Sequence, residues 1–313
     1  PNARSAPAQR ETAWSTSGVS AAALTALDSK TSVALNAGSV TSVTGTAAEV
    51  TALYEAGALG TITGLGNEAL TISDSVTVAQ ANAVAALTSG AVTATLAEGS
   101  LSALGGLAET NNHYTVTITD TAIDAAALNA LNDKTDVTIT ISGATAVNGS
   151  YADVNAVLTS AGITGWSNPA VALVGTVTAA QADTIANLTT GVLTATVAAD
   201  TTANLNTALS HASATDALSL TVTDASVAAT ALNTLDGKTS VAINAASVAT
   251  ITATDAQLAA VSTAFAAAGI AGLAGKAITI TGSSIAASDA NTLVGLTAGV
   301  VTAAIDAALS SAQ

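Results

Sequence analysis

Sulfur is missing from this sequence: 313 residues contain no cysteine and no methionine. Without cysteine there is no disulfide framework, no thiolate nucleophile and no thiolate metal site. Aromatics are nearly absent too, with two Trp, three Tyr and one Phe. Sugar-cleaving clefts use aromatic platforms, so this scarcity argues against glycosidase or lyase chemistry even though carboxylates are plentiful. Basic residues number 6 against 21 acidic ones, for a formal net charge of −15. Such a chain is repelled by phosphate backbones and anionic lipid, which disfavours nucleic acid as a partner. The lack of sulfur over this length fits an abundant exported protein, and a first residue Pro1 fits a processed or internal segment. Residues 257–275 carry no charge. They are Ala- and Gly-rich and align with copies bearing Glu49, Glu55 and Asp153, so no transmembrane span is expected.

What the chain has is Ala, Val, Leu, Ile and Thr in a long repeat. "ALTALDSKTSVAL" at 23–35 returns as "ALNALNDKTDVTITI" at 127–141 and as "ALNTLDGKTSVAI" at 231–243. Lys30, Lys134 and Lys238 are separated by 104 residues and then 104 again. Thr46, Ser150 and Thr254 keep the same spacing, and Glu49, Asp153 and Gln257 follow three residues later. These are capping boxes: the hydroxyl takes the N3 amide while the N3 side chain reaches back to the cap amide. "TVAQANAVAALTSG" from Thr77 and "TAAQADTIANLTTG" from Thr178 repeat the pattern, whereas "AASDANTLVGLTAG" lacks the capping hydroxyl at Ala286. Gly90, Gly191 and Gly299 close these copies at separations of 101 and 108, so loops absorb small insertions.

Each long unit resolves into about four coils of about 26 residues, the range of leucine-rich-type solenoids. Strands are expected at 33–35, 70–73, 92–96, 114–119, 137–141, 171–174, 193–197, 218–223, 241–243, 278–281 and 301–305. Strands alternating with helices predict an α/β right-handed solenoid, with one parallel sheet on one side and short helices on the other. About 11 coils at about 4.8 Å each make a rod on the order of 50 Å. The expected layout is a linker or N-terminal cap over 1–18 and a single repeat solenoid over 19–313, with super-repeats at about 19–122, 123–226 and 227–313. Within the repeat phrase, Leu128 and Leu131 share a helix face and Asn132-Asp133 closes the helix. Lys134 then complements the negative helix end, and Val137, Ile139 and Ile141 enter the core. In the third copy Gly237 is expected to take the turn with a positive φ.

Motifs of chemistry are few. "GKT" at 237–239 lacks the Gly that a phosphate-binding loop needs five residues earlier, where Leu232 stands. "GLGNEA" from Gly64 has dinucleotide-loop spacing but does not open a helix, so it reads as a turn. His113 and His211 have no carboxylate or second histidine at ligand spacing and read as surface imidazoles. No Gly-x-Ser-x-Gly elbow occurs and no Ser-His-Asp set is evident. Asp74, Asp120 and Asp224 end strands as cap or turn residues. There is neither an EF-hand loop nor a calcium nonapeptide, which leaves Ca²⁺ without support. No catalytic, cofactor-binding or metal residue is assigned, and a non-enzymatic role is expected.

Threonine is the one surface feature with functional potential. Thr115, Thr117 and Thr119 alternate with Val116 and Ile118. The same pattern puts Thr93 and Thr95, Thr138 and Thr140, Thr194 and Thr196, Thr221 and Thr223, and Thr279 and Thr281 opposite the core. Stacked coils align them into ladders, interrupted at 172–174 and at Ala242 and Asn244. Thr suits any half-exposed strand; an aligned array would also order water or ice, or carry glycan.

"LNTLDGKTS", "VTAAQADTIANLTTG" and "VLTATVA" resemble the Ala/Thr/Val-rich repeats of giant cell-surface proteins of marine cyanobacteria and similar bacteria, over residues 19 to 313. The resemblance implies a surface-layer, motility-associated or extracellular-fibre component and carries no catalytic residues. The expected partners are the chain itself or further repeats of the same polypeptide. A binding module (adhesin, phage fibre or ice-binding solenoid) is the alternative.

Overall fold

The computed structural model describes residues 18–306. The expected linker or cap at 1–18, with Trp14 and both arginines, lies outside them except for Gly18, as do residues 307–313. The order begins β1 (Val19–Ser20), α1 (Ala21–Asp28), β2 (Leu35–Asn36), β3 (Ser42–Gly45), α2 (Ala47–Ala58), β4 (Ile62–Thr63), β5 (Ala69–Val76), α3 (Val78–Ala85) and β6 (Val92–Leu96). Next come α4 (Leu101–Leu104), β7 (His113–Thr115), β8 (Thr117–Ile118), β9 (Ala122–Asp124), α5 (Ala125–Asn132), β10 (Ile139–Ile141), β11 (Ala146–Gly149), α6 (Tyr151–Thr159) and β12 (Ile163–Thr164). Then follow β13 (Ala170–Val177), α7 (Ala179–Leu188), β14 (Leu193–Val197), α8 (Thr202–Ala208), β15 (Ala217–Ser219), β16 (Ser226–Ala228) and α9 (Ala229–Asp236). The rest are β17 (Ile243–Asn244), β18 (Thr250–Thr254), a 3-10 turn (Asp255–Gln257), α10 (Leu258–Ala266), β19 (Ile270–Ala271), β20 (Ala277–Thr281), α11 (Ala287–Leu296) and β21 (Val301–Thr302).

Two compact units divide these elements. One runs to Ala144 and takes in Thr159–Trp166; the other holds Thr145–Leu158 and the described residues from Ser167 on. In the first, β1, β3, β5, β6 and β7 form one sheet in that order. Every pairing is parallel: Val19 faces Val43, Val43 faces Leu70, Leu70 faces Val92 and Ala94 faces Tyr114. A second set pairs β2 with β4, and a third runs β8, β10, β12, again parallel. The second unit repeats the scheme, with β11, β13, β14, β15 in one sheet, β16, β18, β20, β21 in another, and β17 beside β19. Val147 faces Val171, which faces Leu193, while Val227, Ile251, Ile278 and Val301 line up across the other sheet.

These strands pack because they are amphipathic with period two: in β6 Val92, Ala94 and Leu96 are buried while Thr93 and Thr95 are exposed. The helices supply the facing layer through Leu24, Val50, Leu53, Val84, Leu128 and Leu131 in the first unit, and through Ile185, Leu205, Leu232, Leu235 and Val261 in the second. Their starts follow the capping signals. Thr46, Thr77, Thr178 and Thr254 each form the two-way capping box, Ser150 accepts from the Asp153 amide, and Ala286 gives α11 no side-chain cap.

Three expectations change. The described residues contain 21 strands, not 11, because a second strand precedes most helices. The stretches "SVTG" and "AVNG", just before the capping Thr46 and Ser150, and "TITAT", which ends on the capping Thr254, form strands where none was expected. The strands consequently fall into several parallel sheets in place of one. The expected 114–119 strand breaks at Val116, and that at 33–35 shifts to Leu35–Asn36, leaving Val33 57% exposed. Gly237 has φ −69°, an ordinary right-handed helical value, so its place in the turn rests on no special backbone freedom.

Glycine is required elsewhere. A Cβ on Gly90, Gly191 or Gly299 would lie 2.3, 2.4 and 2.4 Å from the carbonyl oxygens of Glu68, Pro169 and Lys276. Gly295, inside α11, has open space around it. We expect Gly191→Ala to destabilise by about 1–3 kcal/mol and Gly295→Ala to stabilise by up to about 1 kcal/mol, read from urea unfolding. Equal effects would show that close approach is not what selects the first glycine.

Candidate functional site

The repeat landmarks turn out to be bonds between segments of chain 20 to 29 residues apart. Thr135 and Thr239, which follow two of the repeat lysines, are buried. The Thr135 hydroxyl donates to Tyr114 O and accepts from the amides of Tyr114 and Val137. Thr239 does the same with Leu218 and Val241. Thr31, the first copy, is exposed and reaches only Val33. One residue earlier, Lys134 Nζ donates to Ala108 O and Lys238 Nζ to Leu209 O. Leu209 is the C-cap of α8. The lysines thus satisfy carbonyls at or just beyond the end of the preceding helix, not of their own, a correction to the expected pairing. Asn112 and Asp216, again 104 apart, accept from the amides of Val92 and Leu193.

Carboxylates work at the opposite helix ends. Asp74 accepts from Ala47 N at 3.0 Å, Glu98 from Val78 N at 3.1 Å, Asp120 from Leu101 N at 2.7 Å and Asp224 from Thr202 N at 2.6 Å. Each covers the first amide of a helix that lies 19 to 27 residues earlier, where the helix dipole favours negative charge. Asp74, Asp120 and Asp224 are therefore caps, but of helices well before them in the chain, and Asp74 lies inside β5 instead of ending a strand.

The "GLGNEA" turn holds an anion of its own. Glu68 is fully buried, and its Oε2 accepts from Gly66 N, Asn67 N and the Tyr54 hydroxyl. Burial first, and the Glu68 carboxylate second, raise the Tyr54 phenol well above its ordinary range. The amides that would cradle a nucleotide phosphate are occupied internally.

Both histidines meet carboxylates that sequence spacing did not reveal: His113 Nδ1 contacts Asp136 Oδ1, and His211 Nδ1 lies 2.9 Å from Asp183 Oδ2. They are surface imidazoles, as expected, but their partners stand 23 and 28 residues away on neighbouring turns. Ser210 completes a Ser-His-Asp cluster that the sequence does not display. Its hydroxyl donates to Asp183 Oδ2 at 3.0 Å and lies 3.2 Å from His211 Nδ1. Serine and aspartate address the same ring nitrogen, so the imidazole is not placed to take the serine proton, which points to the carboxylate. A nucleophile is not activated this way.

Burial would raise the Asp183 carboxyl, but bonds from the His211 amide, the His211 ring and Ser210 outweigh it and hold the group below its ordinary value. Among the described residues no three His, Asp or Glu side chains gather as a metal site requires, and no helix is long and apolar enough to cross a membrane.

The threonine faces align in part. Thr44, Thr71 and Thr93 form one row that ends on His113, and Thr117, Thr140 and Thr164 form another. Thr252, Thr279 and Thr302 align in the second unit, while Ala172 and Ala217 flank Thr194 and break its row. Comparison with protein-family models, curated proteins and solved structures gives no match.

Since the folded pKa of Asp183 lies below the unfolded one, its stabilisation is complete above about pH 4 and is lost as pH falls through the folded value. Asp183→Asn should lower the unfolding free energy by about 1 kcal/mol at neutral pH, with the difference from wild type closing in acid. A deficit that persists undiminished in acid would assign the effect to packing instead.

Proposed function

We propose that the chain is a right-handed solenoid acting as a non-enzymatic structural module of a cell-surface layer or extracellular filament, associating end to end with itself or with further repeats. One observation carries the reading. Each parallel strand pair joins residues 20 to 27 apart, as Thr93 with His113 and Val43 with Leu70, and the turns are tied by bonds recurring at the 104-residue period. Such a chain grows by adding turns, each contacting only its neighbours, and supplies length and stiffness without needing a cleft. The low positive charge, the missing sulfur and the resemblance to bacterial surface repeats favour an extracellular place.

Among the described residues, β1 and β21 each pair on one side only, and unpaired strand edges template further strands. The chain is expected to show a mass by light scattering that rises with concentration, and Val301→Lys with Ile305→Lys to abolish the rise while keeping the circular dichroism of the wild type. A chain that stays monomeric at every concentration contradicts self-association. The threonine rows favour a second reading, a binding module whose hydroxyl array orders water or holds glycan. Thermal hysteresis or ice shaping by the monomer would select it.

A further inference from the structure

Divergence between repeat copies singles out one place in the second unit. In the first copy of the Ala-Gln repeat, Asn82 ties two turns together: its Nδ2 donates to Gly106 O at 2.8 Å and its Oδ1 accepts from Ala108 N at 3.0 Å. The last copy has Asn291 in that position. The middle copy has Asp183, whose Oδ1 takes the His211 amide while Oδ2 takes the His211 ring and the Ser210 hydroxyl. The position of Ala86 and Gly295 in the other copies is Asn187 in this one.

One of the substituted residues, Asn187, borders an open surface cavity of about 340 Å³, lined also by Asn168, Leu188, Thr190 and His211, all exposed. Asn168 is one of only two non-glycine residues with positive φ among those described, at 47°. Among the described residues, the side chains of Asn168, Asn187 and Thr190 have no hydrogen-bond partner within the protein. An ionised carboxylate only accepts, so Nδ1 of His211 carries the hydrogen toward Asp183, and in the neutral form of this half-exposed ring Nε2 is an acceptor.

The charge balance narrows the ligand. Both Asp183 oxygens are occupied, which removes the anionic ligand a metal cation would seek, and the net charge of −15 opposes an anion. What remains is a mixture of neutral donors and acceptors, two amides, a hydroxyl and an imidazole lone pair, beside the apolar Leu188. We propose that this cavity binds a neutral, hydroxyl-rich ligand, a monosaccharide unit of a glycan, with His211 oriented by Asp183 to accept from a sugar hydroxyl and Leu188 against the C–H face of the ring. The site uses none of the strand-face threonines and does not depend on self-association.

Saturation-transfer and amide-shift NMR on the full chain, with the methyl glycosides of glucose, galactose, mannose and N-acetylglucosamine as probes, test it. At least one glycoside should receive saturation and shift amides at 168, 186–190 and 211. Asn187→Ala and His211→Phe, both at exposed positions, should each weaken that binding about tenfold or more, and Thr194→Ala should leave it unchanged. Absence of saturation transfer to all four probes, or binding that both site variants retain, overturns the proposal. So does a loss confined to Thr194→Ala, which would place recognition on the strand face.

Discussion

Short parallel strands that end in corners leave backbone amides and carbonyls that no sheet ladder reaches, and where such strands lie close against a helix layer some of these groups are buried. Buried backbone groups without partners cost more than a hydrogen bond contributes, so something must occupy them. Here side chains do it. Glu68, Asn112, Thr135, Thr189, Thr202, Asp216 and Thr239 are the buried polar residues among those described, and all but Thr202, whose hydroxyl and amide both donate to Asp224, bond a backbone group through the side chain. Threonine suits the task because one hydroxyl donates to a carbonyl while accepting from amides on both turns, and its methyl completes the apolar layer. The 104-residue period of the sequence recurs in two pairs of them, Thr135 with Thr239 and Asn112 with Asp216.

The same closeness explains the composition. Thr88, Thr189 and Thr297 donate to Glu68 O, Pro169 O and Lys276 O and accept from Gly90, Gly191 and Gly299. That contact is made only if the glycine carries no Cβ. A core spanned at this distance has room for Ala, Val, Leu and Ile and little for aromatics, of which Tyr114 is the one among the largest fully buried side chains. Lysine and aspartate are then distributed by helix polarity, Lys134 and Lys238 near C-terminal carbonyls and Asp74, Asp120 and Asp224 on N-terminal amides.

Local signals were legible in the sequence and distant ones were not. Capping boxes at Thr46, Thr77, Thr178 and Thr254 involve residues three apart, and strands 92–96 and 193–197 alternate over five residues, so both could be read directly. Two-residue strands such as β4 and β12 are too short to show any period. The carboxylates at His113 and His211, the anion at the centre of "GLGNEA" and the carbonyls held by the lysines depend on which residues one turn of chain brings together, over separations of up to 29 residues for Lys238 and Leu209. The 104-residue repeat marked where such bonds lie without identifying their partners. Divergence at Asp183 and Asn187 became informative only once the equivalent Asn82 was seen spanning two turns.

If hydroxyl bonds at the corners hold successive turns together, their loss should be felt first at the amides they cover. Amide hydrogen exchange in wild type and Thr239→Val measures this directly. The amides of Leu218 and Val241, which donate to Thr239 Oγ1 at 3.0 Å, should exchange at least about tenfold faster in the variant, while α9 stays protected. Unchanged exchange at these two amides, or an equal acceleration throughout the chain, would contradict the corner hydroxyls as the local ties between turns.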